Sequence, residues 1–219
     1  MTIKAVLFDL DGTLLNTLDD IAESANFVLE RFGYPTHSVD AYRYFVGNGV
    51  DNLLKVILPE EAHTDETLQS MKKIYLERYG AHSLDKTRPY DGVPEMAAEL
   101  KSMPLKLAVV SNKPDAESQF TVSRIFAEGT FDIVAGGRSG VPLKPDPAIV
   151  NNVLDAFGIP PAEALMVGDT SVDLLTAKNA GCASVGVLWG FRPEEVSSSG
   201  ADFVIAHPSE LTDLIRREL

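Results

Sequence analysis

Two pairs of acids are spaced for joint chemistry. Asp9 and Asp11 lie two residues apart in Asp9-Leu10-Asp11-Gly12-Thr13. While the chain stays extended, side chains two apart point to the same side. Asp169 and Asp173 lie four apart where a helical pattern begins, so they share one helix face. Four carboxylates in one low-dielectric crevice repel one another unless a cation joins them. An oxygen-only set, with no Cys or His near it in sequence, suits a hard divalent ion. Mg²⁺ fits best, because it accepts few protein ligands and keeps waters and phosphate oxygens. Two further polar groups stand out: Ser111-Asn112-Lys113, and Lys144-Pro145 ahead of another helical pattern.

Three of these groups directly follow short apolar runs, over residues 3–8, 105–110 and 164–167. Similar runs occupy 131–135, 184–188 and 202–206, and helical patterns fall near 93–102, 115–126, 146–157, 171–180 and 208–218. Several runs are too apolar to alternate, which is how strands read when helices cover both faces. Strands alternating with helices imply right-handed crossovers and a parallel sheet. Ligands of such sheets bind outside the carboxyl ends of the strands, so three polar strand ends can meet in one crevice.

Residues 16–88 break the alternation. Leu18, Ile21, Ala22, Ala25, Val28, Leu29 and Phe32 form one helical stripe, with Thr17 placed to cap it, Asp19 and Asp20 in its first turn, and Gly33 and Pro35 to stop it. Val50, Leu53, Leu54 and Ile57 repeat the stripe up to Pro59, and Leu68, Met71 and Tyr75 begin a third. One crossover needs one helix, so this segment reads as an inserted helical domain, 16–88, within a core of 1–15 and 89–219. A return linker is expected near 86–92, and Ser197–Gly200 reads as a loop.

Composition narrows the function classes. The 219 residues hold 32 Asp and Glu against 19 Lys and Arg, a formal charge of −13, with 45% hydrophobic and 23% charged residues. This is ordinary globular composition, and it lacks the basic footprint that nucleic acid or anionic membrane requires. A single cysteine, Cys182, allows no internal disulfide. No apolar run approaches the ~20 residues of a membrane span, and a cytoplasmic location is expected. The four histidines show no metal-ligand spacing, and Trp189 is expected at the cleft rim or in the core.

The ordered set DxDGT, SNK, KP and GDxxxD resembles the haloacid dehalogenase superfamily of phosphohydrolases, over essentially the whole chain. Val46-Gly47-Asn48-Gly49, Gly136-Gly137 and Ala177-Lys178-Asn179-Ala180-Gly181-Cys182 are further points of similarity, shared with the branch acting on 2-phosphoglycolate. The resemblance implies an α/β, Rossmann-like three-layer core with a parallel sheet, carrying an α-helical cap. It implies a Mg²⁺-dependent phosphomonoesterase with Asp9 as nucleophile and Asp11 as acid and base. The metal set would be Asp9, Asp11 through its main-chain carbonyl, Asp169 and Asp173, with Lys144 offsetting charge on Asp9. Gly12, Thr13, Ser111, Asn112 and Lys113 would lie around the phosphoryl group. Thr13 leans away from mutase relatives, where Val is frequent, and Asp11 argues against dehalogenation.

The cap loop Gly47-Asn48-Gly49 is either a plain turn or a specificity loop lowered over the phosphate. Arg43 or Lys113 is expected to balance a carboxylate on the substrate. A small anionic phosphate ester follows, with 2-phosphoglycolate leading, by a monomer or homodimer. Pyrophosphate, sugar-phosphate or nucleotide hydrolysis, hexose phosphomutation and a non-catalytic phosphate-binding module are the alternatives.

Overall fold

The computed structural model describes residues 2–218. Six strands form one parallel sheet: β1 (Ala5–Phe8), β4 (Lys106–Pro114), β5 (Ile133–Gly137), β6 (Ala164–Gly168), β7 (Ala183–Val187) and β8 (Phe203–Ile205). Their order is β5-β4-β1-β6-β7-β8, which puts β1 between the two other strands that carry the conspicuous polar ends. Successive side chains of β1 serve opposite faces, as a strand requires. Val6 and Phe8 pack with Val93, Met96, Leu211 and Ile215 of α5 (Val93–Lys101) and α10 (Ser209–Glu218). Ala5 and Leu7 pack with Ile149, Val153 and Ala177 of α7 (Ala148–Phe157) and α8 (Ser171–Ala180). Helix α6 (Asp115–Ile125) follows β4 and packs on β5. With strands buried on both faces, the core has three layers.

The intervening chain forms α1 (Leu18–Arg31), α2 (Tyr42–Phe45), α3 (Gly49–Ile57) and α4 (Asp65–His82). They enclose a separate apolar cluster built from Leu18, Ile21, Val28, Leu53, Met71 and Tyr75, joined by Phe191 from the sheet side. The chain leaves and re-enters the sheet layer through a small antiparallel ribbon, β2 (Leu15–Asn16) beside β3 (Arg88–Pro89). The Asp20 carboxylate, buried on α1, ties the two passes together. It accepts from the Lys86 N–H at 3.0 Å, the Thr87 N–H at 2.8 Å and the Thr87 hydroxyl at 2.7 Å.

Local expectations fail where tertiary contacts decide. Thr17 precedes α1 but makes no capping bond; the Asn16 side chain accepts from the Leu18 N–H at 3.3 Å instead. Ser197 and Ser198 are helical, because Pro193 opens a short α9 (Pro193–Ser198) whose Val196 is fully buried. Among the described residues, no helix is long and apolar enough to cross a membrane.

Candidate active site

Two strand ends, of β1 and β6, deliver the acids, and a third, of β4, brings Ser111, Asn112 and Lys113 beside them. Asp9 leaves β1 with its N–H bonded to the Val167 carbonyl at 2.9 Å. The chain then turns at Gly12, whose φ of 89° suits glycine, and its tight approach to the Asp169 carboxylate leaves no room for a Cβ. Asp169 follows β6, accepting from the Thr13 hydroxyl at 3.1 Å and the Phe191 N–H at 2.8 Å. Asp173 sits one turn into α8 in a capping box, taking bonds from the Thr170 N–H and hydroxyl. Carboxylate oxygens of Asp9, Asp169 and Asp173 lie within 4.8 Å of one another, and all three residues are buried.

One ammonium serves this group. Lys144 Nζ lies 2.8 Å from Asp9 and 2.7 Å from Asp173, and donates to the Val110 carbonyl at 3.1 Å. Burial pushes the Asp9 carboxyl up to about 6; Lys144 opposes this, while Asp173 and Asp11 add to it. Asp169 is raised well above the usual carboxylate range by burial and by Asp173 and Asp9. Burial alone would lower the Lys144 ammonium, but Asp173 and Asp9 outweigh it and raise the group. Three buried carboxylates against one cation leave two negative charges unmatched. Hard oxygen donors with that deficit fit a divalent metal ion.

Asp11 stands apart from the cluster. Both its oxygens pair with Lys113 Nζ, at 3.0 and 3.1 Å, and Lys113 also donates to the Tyr79 hydroxyl of α4 at 2.6 Å. Asp9, Asp11 and Ser111 line one side of a cleft, and Val46, Leu53 and Tyr75 of the cap are among the residues that line the other.

Other expected residues take different places. The Asn112 amide is spent on main chain: it accepts from the Lys144 N–H at 2.7 Å and donates to the carbonyls of Lys144 and Gly47, at 3.0 and 2.9 Å. Asn112 therefore positions Lys144 and the cap loop, and its side chain has no free donor for a phosphoryl oxygen. Gly47 reaches the cleft with φ 116°, whereas Asn48 is exposed outside it. Arg43 does not line the cleft either; its guanidinium pairs with Asp40 at 2.7 Å on the surface. Asp40 lies three residues earlier, in the 3-10 turn Val39–Ala41 that leads into α2, and of the two cations expected to meet a substrate carboxylate, Lys113 is the one that lines the cleft.

At a fourth strand end Trp189 packs against the core as expected, but the roles of Gly190 and Arg192 beside it were not singled out in the sequence. After β7, Gly190 packs so closely that a Cβ there would fall 2.2 Å from Asp169 Cβ and 2.5 Å from the Gly12 carbonyl oxygen. Trp189 Nε1 donates to the Thr13 carbonyl at 2.9 Å, and buried Arg192 donates to the Val46 carbonyl of the cap at 3.2 Å. The signal was the Trp-Gly pair directly after an apolar run, the same strand-end rule that singles out the others.

Acids gathered at the ends of parallel strands, facing a helical cap, define a class of hydrolase. Residues 6–187 match the haloacid dehalogenase-like hydrolase family, and the chain belongs to it. Within that class it is 34% identical to the phosphoglycolate phosphatase of Thiobacillus denitrificans, covering 99% of this chain and 97% of the relative. Identity to the phosphoglycolate phosphatase of Aquifex aeolicus is also 34%, over 97% of each chain. The crystal structure of a predicted phosphoglycolate phosphatase from Haemophilus somnus matches with a TM-score of 0.89 at 29% identity, covering 98% of both chains.

Proposed function

We propose that this protein is a Mg²⁺-dependent phosphomonoesterase that hydrolyses 2-phosphoglycolate to glycolate and phosphate. The reading is carried by one observation: two unmatched negative charges among Asp9, Asp169 and Asp173, beside an Asp11 held apart from them by Lys113. Residues 16–88 act as the cap of a core formed by 1–15 and 89–219.

Asp9, Asp169 and the main-chain carbonyl of Asp11 would hold the ion, with Asp173 acting through Lys144 or a water. Bound Mg²⁺ supplies positive charge against the phosphoryl oxygens. An Asp9 carboxylate oxygen attacks phosphorus, forming an aspartyl-phosphate as the bond to the ester oxygen breaks. Asp11 gives its proton to the departing alkoxide and then takes one from the water that attacks the phosphoenzyme, which releases phosphate and restores Asp9. Lys144, fixed by Val110 and Asn112, opposes the charge that develops around Asp9. The cap roof excludes bulk water from the acyl phosphate.

A kcat/KM panel of 2-phosphoglycolate, pyrophosphate, sugar phosphates and nucleotides at saturating Mg²⁺ tests the substrate. A preference of about tenfold for another ester, ~1.4 kcal/mol in transition-state binding, overturns it. Asp9→Asn is expected to lose about 10⁴-fold or more of kcat, and substantial residual turnover would remove Asp9 as nucleophile.

A further inference from the structure

The chemistry above leaves one buried group beside its centre unused. Tyr79 is 2% exposed and stacks on Tyr75, with ring centroids 5.7 Å apart and planes within 4°. Its hydroxyl oxygen accepts from Lys113 Nζ at 2.6 Å, and the same ammonium lies 4.5 Å from the ring centroid. Because lysine can only donate, the phenol's own proton is directed elsewhere. Among the described residues that O–H meets no acceptor. Burial, with Asp11 adding to it, raises the Tyr79 phenol well above its ordinary value, so the proton stays on the oxygen. A buried donor without a partner is destabilising, and one that lines a ligand cleft is accounted for by an acceptor on the ligand.

Position identifies the acceptor. Asp11 exchanges its proton with the ester oxygen in the proposed reaction, so whatever lies beyond Asp11 faces the leaving group. Lys113 and then Tyr79 come next in that direction. The cleft lining around them combines the apolar Ile21, Val46, Leu53 and Tyr75 with one further acid, Glu117, so Lys113 and Tyr79 are the groups there that can donate to an anion. A carboxylate one carbon from the ester oxygen would meet this ammonium and this phenol, while an alkyl group would use neither.

We propose that Tyr79 is a specificity-determining residue, which donates its O–H to the leaving group's carboxylate and holds Lys113 Nζ where one ammonium serves both that carboxylate and Asp11. The inference rests on the reading of the site as a phosphomonoesterase for a small carboxylate-bearing ester. It adds a cap residue that reads the carboxylate.

The test compares 2-phosphoglycolate with ethyl phosphate, in which a methyl group replaces the carboxylate, in wild type and Tyr79→Phe loaded with Mg²⁺. The substitution keeps the ring and its stack on Tyr75, so the fold is retained. Expected is a loss in kcat/KM for 2-phosphoglycolate at least about tenfold larger than the loss for ethyl phosphate, mostly through KM. Equal losses on both esters would mean that Tyr79 only supports the cap, and no loss on either would mean that its proton is not used; each result overturns the inference alone. A wild type that does not prefer 2-phosphoglycolate over ethyl phosphate overturns the substrate reading, and this inference with it.

Discussion

Asp169 is fully buried, accepts two hydrogen bonds, and still has its carboxyl raised well above the usual range by burial and two neighbouring acids. Asparagine could contact the same neighbours. Its oxygen would accept from the Phe191 N–H and its amide would donate to the Thr13 hydroxyl. Asp169→Asn therefore removes the charge, while the Thr13 O–H loses the acceptor it now has. In chelator the variant is expected to be more stable than wild type by about 1–3 kcal/mol, or roughly 2–4 °C in Tm per kcal/mol for a chain of this size. Added Mg²⁺ should raise the wild-type Tm, by ~2.7 kcal/mol of stabilisation at a hundredfold excess over Kd, and leave the variant nearly unmoved. A variant less stable than wild type in chelator would sink the idea that unmatched charge defines this site. At this scale the acids were legible, because Asp9, Asp11, Asp169 and Asp173 announce themselves by spacing after apolar runs. Gly190 and Tyr79 were not. A glycine shows its role only through what a Cβ in its place would meet, here Asp169 at 2.2 Å, and Tyr79 reads in sequence as one more apolar-face residue of α4. Its partner Lys113 lies on a different strand end, 34 positions away.

Among the elements, the sheet was the most readable part, since strands covered on both faces must be apolar throughout. Helices α1, α3 and α4 were visible for a related reason: each lays a periodic stripe against the shared cap cluster. The elements that escaped are short. Four residues of α2 and two each of β2 and β3 carry too few positions to show a period. The ribbon nevertheless joins cap to core, and Asp20 shows what holds it. Asp20→Ala would leave the buried Thr87 N–H and hydroxyl without their acceptor. The expected loss is about 2–4 kcal/mol, seen as a lower urea midpoint with unchanged slope. If Asp20→Ala unfolds at the wild-type midpoint, the ribbon is held by its strand pairing and the carboxylate is incidental.

Across the whole molecule, charge acts at two ranges. Residues 16–88 contain twelve acids and eight bases, so most of the net −13 resides outside the cap. Within the cleft, Lys113, Lys144 and a bound Mg²⁺ would attract a phosphate ester, while the surface beyond repels it. Cap and core meet through the Asn112 bond to Gly47, the Arg192 bond to Val46, and the Tyr44 hydroxyl to Glu194 at 3.0 Å, and the ester approaches a molecule whose net charge is negative. The long-range repulsion is the part that salt screens, because the Debye length is ~30 Å at 0.01 M and ~10 Å at 0.1 M, whereas buried pairs feel little of it. Raising ionic strength with KCl across that interval, with Mg²⁺ kept saturating, should therefore raise kcat/KM for 2-phosphoglycolate by a few fold and leave kcat unchanged. A kcat/KM that falls with salt would show that the cations of the cleft govern approach as well as binding, and that the acidic surface does not oppose the substrate.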